Sequence, residues 1–192
     1  MVIAAVIALV GVRRPAFSAD LRNDVKAAYL YNFLRFCQWP ASAPTKNVIT
    51  LGIVGDDDFA ADLSAQFKER QLDGKTVSVI SLEPGKDVAR CDAVYFRGTD
   101  KRTAAAVVKA AAGLPILTVG DSRSFVEAGG MINFVERDGA MRFAVNSNSV
   151  QKSGLAISSQ MLQYAIIINE HSGSFFGRWL AAGPRDLLVL AA

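Results

Sequence analysis

Apolar and polar positions follow three rhythms along this chain, and each rhythm predicts an element. At about 100° per residue, Val25, Tyr29, Leu30, Phe33, Leu34, Phe36 and Cys37 gather into one arc, with Tyr31, Asn32 and Arg35 opposite. Lys26 is the single charged residue inside the apolar arc. The pattern predicts an amphipathic helix capped near Asn23-Asp24 and stopped before Pro40, because the residue preceding a proline avoids the helical region. Residues 49–55 form a continuous apolar run, as in a strand buried on both faces. A helix should follow, with Phe59, Leu63 and Phe67 at four-residue steps. Residues 75–82 alternate and read as a strand, 92–98 as another, 103–112 as an Ala/Val helix, 115–121 as a strand and 122–128 as a short helix.

The sharpest local signal is MINFVER-DG-AMRFAVN, in which Asp138-Gly139 separates two strand-like runs. Asn-Gly and Asp-Gly are the preferred pairs for a two-residue type I′ hairpin. That loop pairs Phe134 with Phe143, Ile132 with Val145 and Glu136 with Met141. It sends Asn133, Arg137 and Arg142 to the other face, which is expected to be wet, as at an antiparallel sheet edge. Gly129-Gly130 turns the chain into this hairpin. Residues 149–154 read as a short helix or turn. Ser158 or Ser159 then caps a helix, SSQMLQYAIII, whose Leu162 and Ala165 pack inward.

Strands alternating with helices imply an α/β fold. The expected architecture is a single-domain sandwich with a mixed, mainly parallel sheet, helices on both faces and a C-terminal antiparallel hairpin. The expected divisions are a signal peptide over 1–19, the α/β domain over 20–169 and a tail over 170–192. The signal reading rests on ten apolar residues, 3–12, too few to span a bilayer and suited to an exported leader with small residues near its cleavage point. It predicts that the chain is exported and its leader removed, although Arg13-Arg14 fall after the apolar segment rather than before it. The tail has no comparable pattern.

Composition narrows the chemistry. The chain has 192 residues and a net charge of +3, but its 21 basic and 18 acidic residues are interspersed. Without a clustered basic face there is no nucleic-acid footprint. One histidine, His171 in the tail, leaves no His-rich metal site and no Ser-His or Cys-His pair. No glycine-rich phosphate loop follows a strand. Asp56, Asp57 and Asp58 follow the first strand, where carboxylates could hold Mg²⁺. The acceptor aspartate and lysine that such a site needs at later strand ends are missing, and helix capping is the better account. No catalytic, metal or cofactor site is therefore expected. Cys37 and Cys91 are either buried thiols or one disulfide.

The order of motifs resembles the YfiR family. VKAAYLYNFLRFCQWP is similar to that family's opening helix, LGIVGDDDF to its first strand and turn, and CDAVYF, LTVGD, GGMINFV, RFAVN and GLAISSQML follow in the family's order. The resemblance covers about 25–165. It implies a periplasmic homodimer without enzymatic activity that binds the periplasmic part of an inner-membrane diguanylate cyclase and represses it, lowering cyclic di-GMP and so regulating biofilm. An outer-membrane lipoprotein is a further implied partner. The resemblance also implies a cysteine in the first strand, where this chain has Gly52. Cys91 matches a family cysteine and so lacks that partner, while Cys37 stands where a small apolar residue is common.

Two aromatics of the opening stretch, Tyr31 and Trp39, escape the buried arc. Aromatics with a polar handle are common interface anchors, so both are candidate partner contacts. Trp39 also reads as a plug at the end of the core beside Pro40. The rival reading is a periplasmic small-ligand-binding module. Open α/β sheets bind ligands at strand carboxyl ends, and Gly55-Asp56, Gly98-Thr99 and Gly120-Asp121 would line that crevice.

Overall fold

The computed structural model describes residues 19–43, 46–137 and 139–168. The expected tail, 170–192, and the expected signal segment apart from Ala19 lie outside the described residues. Helix α1 (Ala19–Phe36) is followed by the two-residue strand β1 (Cys37–Gln38). Strand β2 (Val48–Val54) leads to α2 (Asp57–Phe67), then to the hairpin of β3 (Gln71–Leu72) and β4 (Lys75–Leu82). A single 3-10 turn (Val88–Arg90) precedes β5 (Ala93–Phe96), which is followed by α3 (Lys101–Ala111), β6 (Leu117–Gly120) and α4 (Arg123–Glu127). The chain then forms β7 (Ile132–Arg137), β8 (Ala140–Asn146), α5 (Ser147–Lys152), β9 (Ala156–Ile157), α6 (Ser159–Leu162) and β10 (Ile166–Ile168).

Eight strands form one sheet in the order β10-β8-β7-β6-β5-β2-β4-β3, and β1 pairs with β9 in a small second sheet. The β4, β2, β5, β6 and β7 neighbours are parallel, whereas β3–β4 and β7–β8 are antiparallel. The fold is thus the mixed, mainly parallel α/β architecture expected from the alternation of elements.

Side-chain parity sorts the core into two layers. Leu51, Ile53, Ala93 and Tyr95 point to one face and meet α1 and α2 through Leu30, Phe33, Phe59, Leu63 and Phe67. Val54, Val94 and Phe96 point to the other and meet α3 through Ala104, Val107 and Ala111. Rings organise the first layer: Phe33 lies 5.5 Å from Phe134 and 5.0 Å from Phe143, and Tyr95 meets Phe134 edge-on at 5.9 Å. Such pairs add about 0.5–1.5 kcal/mol each beyond their buried area.

The β7–β8 register is the expected one, with Phe134 opposite Phe143, Ile132 opposite Val145 and Glu136 opposite Met141. Gly139 has φ +75°, a left-handed conformation that glycine adopts freely and branched residues do not. Asp138 lies outside the described residues.

Four features depart from the sequence pattern. The second face of the hairpin is largely dry: Asn133, Val135 and Ala144 are buried, the last two beneath Ile168 and Val126. The hairpin is also not the sheet edge, because β10 pairs in parallel with β8 and takes that place. The segment read as one long helix therefore breaks, with α6 ending at Leu162 and the three isoleucines entering the sheet. Their β-branched side chains favour a strand once a neighbour is available to pair. Helix α1 begins before Asn23 and ends at Phe36 instead of running to Pro40, since Cys37-Gln38 pairs with Ala156-Ile157.

Candidate functional site

Helix α1 sets out every candidate in the opening stretch. Lys26, the charged residue in its apolar arc, is nearly buried, with 13% of its side chain exposed. Its Nζ lies 2.6 Å from Asp121 Oδ2, just past the end of β6. The same oxygen accepts a hydrogen bond from the Tyr95 hydroxyl at 2.8 Å. Nζ also sits about 6 Å over the Tyr95 and Phe134 rings, at 6.0 and 5.9 Å. Burial, then the Asp121 carboxylate, hold the Tyr95 phenol far above its ordinary pKa.

Tyr31 is half-buried. Its hydroxyl donates to the Gln71 carbonyl at 3.0 Å, its ring meets Phe67 edge-on at 5.7 Å, and the Arg70 guanidinium lies 5.1 Å over it. It therefore fastens α1 to the end of α2 and to the β3–β4 hairpin. Trp39 lies at the far end of α1, and its Nε1 is buried with no hydrogen-bond partner. Beside it opens a cavity of about 340 Å³ with a floor of Leu34, Ile49 and Leu72. Arg35, Lys46, Lys75, Asp73 and Asp92 also line it, and Lys46 is already bonded to Asp92 at 3.0 Å.

Cys37 and Cys91 are both free thiols. Cys37 belongs to the layer under α1, and Cys91 to the layer under α3. The sheet stands between them, so the one pairing open to the sequence is not made here. Burial pushes the Cys37 thiol up to about 12. Burial, aided by the Asp92 carboxylate, pushes Cys91 up to about 11. Thiols so protonated are poor nucleophiles. Cys91 does face Gly52: a Cβ built there would sit 2.9 Å from its sulfur.

The crevice between the carboxyl ends of β2 and β5 is filled by the protein itself. Asp56 caps α2, accepting from the Phe59 N–H at 2.8 Å, and its other oxygen lies 2.9 Å from Arg97 NH1. The Arg97 guanidinium rests 5.1 Å over the Phe59 ring. Gly55 is so close to Arg97 that any Cβ would overlap the Arg97 carbonyl oxygen. The other two expected lining pairs are engaged as well: Thr99 accepts from Ser124 Oγ at 3.1 Å, and Asp121 holds Lys26. What remains open is a cleft between Gly55, Asp56, Asp57, Ser81, Glu83 and Pro84. Asp57 is hydrogen-bonded there to Ser81. Among the described residues, no group of three or more His, Cys, Asp or Glu side chains is placed to hold a metal ion. Among them, too, no helix is long and apolar enough to cross a membrane.

Sequence reading missed two parts of this arrangement. The Lys26–Asp121–Tyr95 cluster was signalled by a lysine on an apolar helix face, which asks for a buried carboxylate. The β3–β4 hairpin was signalled by Asp73-Gly74, the same dipeptide that marks the β7–β8 turn. Both residues have positive φ, +50° and +78°.

A family model described as YfiR/HmsC-like matches residues 23–166. A search of curated proteins gives no match. Among solved structures, the ABC domain in complex with L-Trp from Streptococcus pneumonia is 17% identical with a TM-score of 0.46, over 66% of this chain and 57% of that one. A conserved domain protein from Vibrio cholerae is 13% identical with a TM-score of 0.49, over 75% of this chain and 60% of that one. The chain thus spans less than two thirds of the length of either.

Proposed function

From the premise that the chain belongs to the YfiR/HmsC-like family, we propose that it is a non-catalytic periplasmic regulator acting by protein contact. Its partner is the periplasmic domain of an inner-membrane diguanylate cyclase, which it holds inactive as a homodimer, keeping cyclic di-GMP low. An outer-membrane lipoprotein that sequesters the regulator would release the cyclase. The observation that carries the reading is the family match across nearly all the described residues. Part of the crevice where an open α/β sheet would bind a substrate, between β2 and β5, is also occupied by the Asp56–Arg97 pair. A contact regulator can shift its partner only through different affinities for the partner's two states, so its effect is stoichiometric.

The test is genetic. Deleting the gene raises cyclic di-GMP, but only in cells that hold the partner cyclase. Supplying the exported protein reverses the rise in proportion to its amount, and supplying it without a leader does not. Unchanged cyclic di-GMP on deletion, with the cyclase expressed, sinks the proposal.

The cavity of about 340 Å³ beside Trp39 favours a second reading, a small-ligand module, because apolar Leu34, Ile49 and Leu72 and charged Arg35 and Lys75 line it together. A thermal shift on a metabolite panel separates the two, since a ligand that binds only the folded state raises apparent stability by mass action.

A further inference from the structure

At the end of the sheet opposite β10, strand β4 is only partly covered. β3 pairs with Lys75 and Thr76 alone, so residues 77–82 have no outer neighbour among the described residues. The β3–β4 hairpin shows which backbone groups face outward. Leu72 and Lys75 close a two-residue turn, so the N–H and C=O of Lys75 point to β3. Thr76 points the other way and donates to the Asn47 carbonyl at 3.0 Å. By alternation, Val77, Val79 and Ser81 turn their backbone groups to the open side. Among the described residues, none of the three finds a backbone partner there.

Proteins that keep such an edge single protect it with charge, proline or a bulge. Residues 76–82 read TVSVISL and carry no charge and no proline, and their register with β2 runs unbroken from Thr76 to Leu82. A second copy of the chain fits this edge by symmetry. β3 blocks the positions beside Lys75 and Thr76, and the strand ends at Leu82, where the turn closed by Lys86 N–H on the Glu83 carbonyl begins. The antiparallel ladder that uses the free length without meeting β3 centres on Ile80. It sets Ile80 opposite Ile80, Val79 opposite Ser81 and Ser78 opposite Leu82. The outward groups of Val79 and Ser81 then exchange about four hydrogen bonds across the axis. The charges at the ends agree with this pairing. Each Glu83 arrives where β3 ends, beside the other copy's Arg70 and Lys75, and neither cation has a carboxylate partner among the described residues.

We propose that two copies of the chain join through this edge, β4 against β4 about a two-fold axis at Ile80, so that their sheets run on as one. This inference rests on the homodimer of the reading above and names its interface. The contact is isologous, each side offering the same strand to the other. It leaves Tyr31 and Trp39 outside the ladder, free to meet a different protein.

The test reads the mass of the full chain by light scattering, with circular dichroism to confirm folding. Ser81→Pro removes one outward N–H, and proline is tolerated at an edge strand. It also breaks the Ser81 bond to Asp57, so Ser81→Ala, which loses that bond and keeps the N–H, is the control. The unaltered chain and Ser81→Ala should have the mass of two chains, and folded Ser81→Pro the mass of one. A second measurement does not depend on that variant. Opposite residues of a non-hydrogen-bonded pair have Cα atoms about 4.5 Å apart, within the span of a disulfide. Ile80→Cys should therefore oxidise to a covalent dimer. It is made with Cys91→Ala, because Ile80 packs in the same layer as Cys91. Tyr164→Cys in the same background, at a position 74% exposed and far along the sheet, reports chance collisions. Cross-linking of Ile80→Cys no faster than of Tyr164→Cys overturns the proposal, whatever Ser81→Pro does. A folded Ser81→Pro that keeps the mass of two chains overturns it as well, and leaves the homodimer to another surface. A single-chain mass for the unaltered protein overturns both the interface and the homodimer, while repression is still judged separately by cyclic di-GMP.

Discussion

Lys26 and Asp121 meet at 2.6 Å across 95 positions of sequence, and Tyr95 completes the contact by donating to the same carboxylate oxygen. The lysine sits on the apolar face of α1 and the aspartate follows β6, so the pair ties the covering helix to the centre of the sheet. A charge placed among rings is tolerated only because its counter-charge is fixed there. The pair thereby specifies where α1 lies.

Breaking one side of this pair should be costly. Asp121→Asn keeps the shape and strands the lysine charge, for a loss of about 3 kcal/mol. The double change Lys26→Met with Asp121→Leu should recover most of it, since apolar residues of similar volume replace buried ion pairs well. The half-exposed Arg22–Glu136 bridge at 3.2 Å is the control, and Arg22→Ala should cost under about 1 kcal/mol. Urea denaturation measures all three. Equal losses for Asp121→Asn and Arg22→Ala would refute the lock.

The same cluster gives the protein a pH signature. Tyr95 stays protonated in the fold well past the point where a free phenol ionises, and Cys37 and Cys91 stay protonated to about 12 and about 11. All three pKa values are raised above those of the unfolded chain. Their contribution is therefore complete below about pH 8.5 and is lost as pH rises beyond the ordinary thiol and phenol values, near 8.5 and 10. Stability from urea melts should fall steadily above about pH 9, and Tyr95→Phe should shallow that slope. A slope identical in Tyr95→Phe would remove the tyrosine from the account.

Periodicity is local, and it served where neighbours in sequence decide the structure. The parallel strands, the α1 face and the register around Asp138-Gly139 were legible because a period or a turn dipeptide states them directly. Ile166, Ile167 and Ile168 were not, because a short apolar run suits a helix or a strand equally, and β8 decides between them from outside the segment. Lys26 was visible as an anomaly, but nothing near it in sequence names Asp121. Tyr31 was read as lying outside the buried arc, yet it is partly buried against the core, and its hydroxyl, ring and cation contacts come from Gln71, Phe67 and Arg70. A helical wheel drawn for α1 alone cannot contain them.

Gly52 should accept a disulfide. A Cβ at this position would lie 2.9 Å from the Cys91 sulfur, close to the span across a natural bridge, although Leu82 must yield. Gly52→Cys should therefore oxidise with Cys91 and leave Cys37 free. The gain should be roughly 2–4 kcal/mol by closing a long loop, less the cost of moving Leu82. Peptide mapping identifies the bond, and melts with and without reductant measure its effect. Pairing with Cys37 would contradict the placement of the two thiols on opposite faces.

The β7–β8 turn should depend on Gly139. Its φ of +75° is strained for a branched residue, while no atom lies within 4 Å of the added Cβ. Gly139→Val should thus cost about 1–3 kcal/mol through the backbone alone. Gly139→Asn, which tolerates left-handed φ, should recover much of that. Equal melting temperatures for the Val variant and the unaltered chain would dismiss the strained turn.

Tyr31 and Trp39 are separable as partner contacts by substitutions that spare the fold. Tyr31→Ala is a poor probe, because it removes the ring from Phe67 and Arg70 and should cost about 1–3 kcal/mol. Tyr31→Phe keeps the ring and loses one hydrogen bond to Gln71, worth about 1 kcal/mol. Trp39→Phe removes an N–H that bonds to nothing in this structure, so it sheds no protein hydrogen bond. Its melting temperature should stay within a few degrees of the unaltered protein. If either side chain meets the cyclase, the matching Phe variant should leave the protein folded and periplasmic while cyclic di-GMP rises towards the level of the gene deletion. Repression kept in full by both variants, at equal protein abundance, removes Tyr31 and Trp39 from the interface and moves the search to other surfaces of the domain.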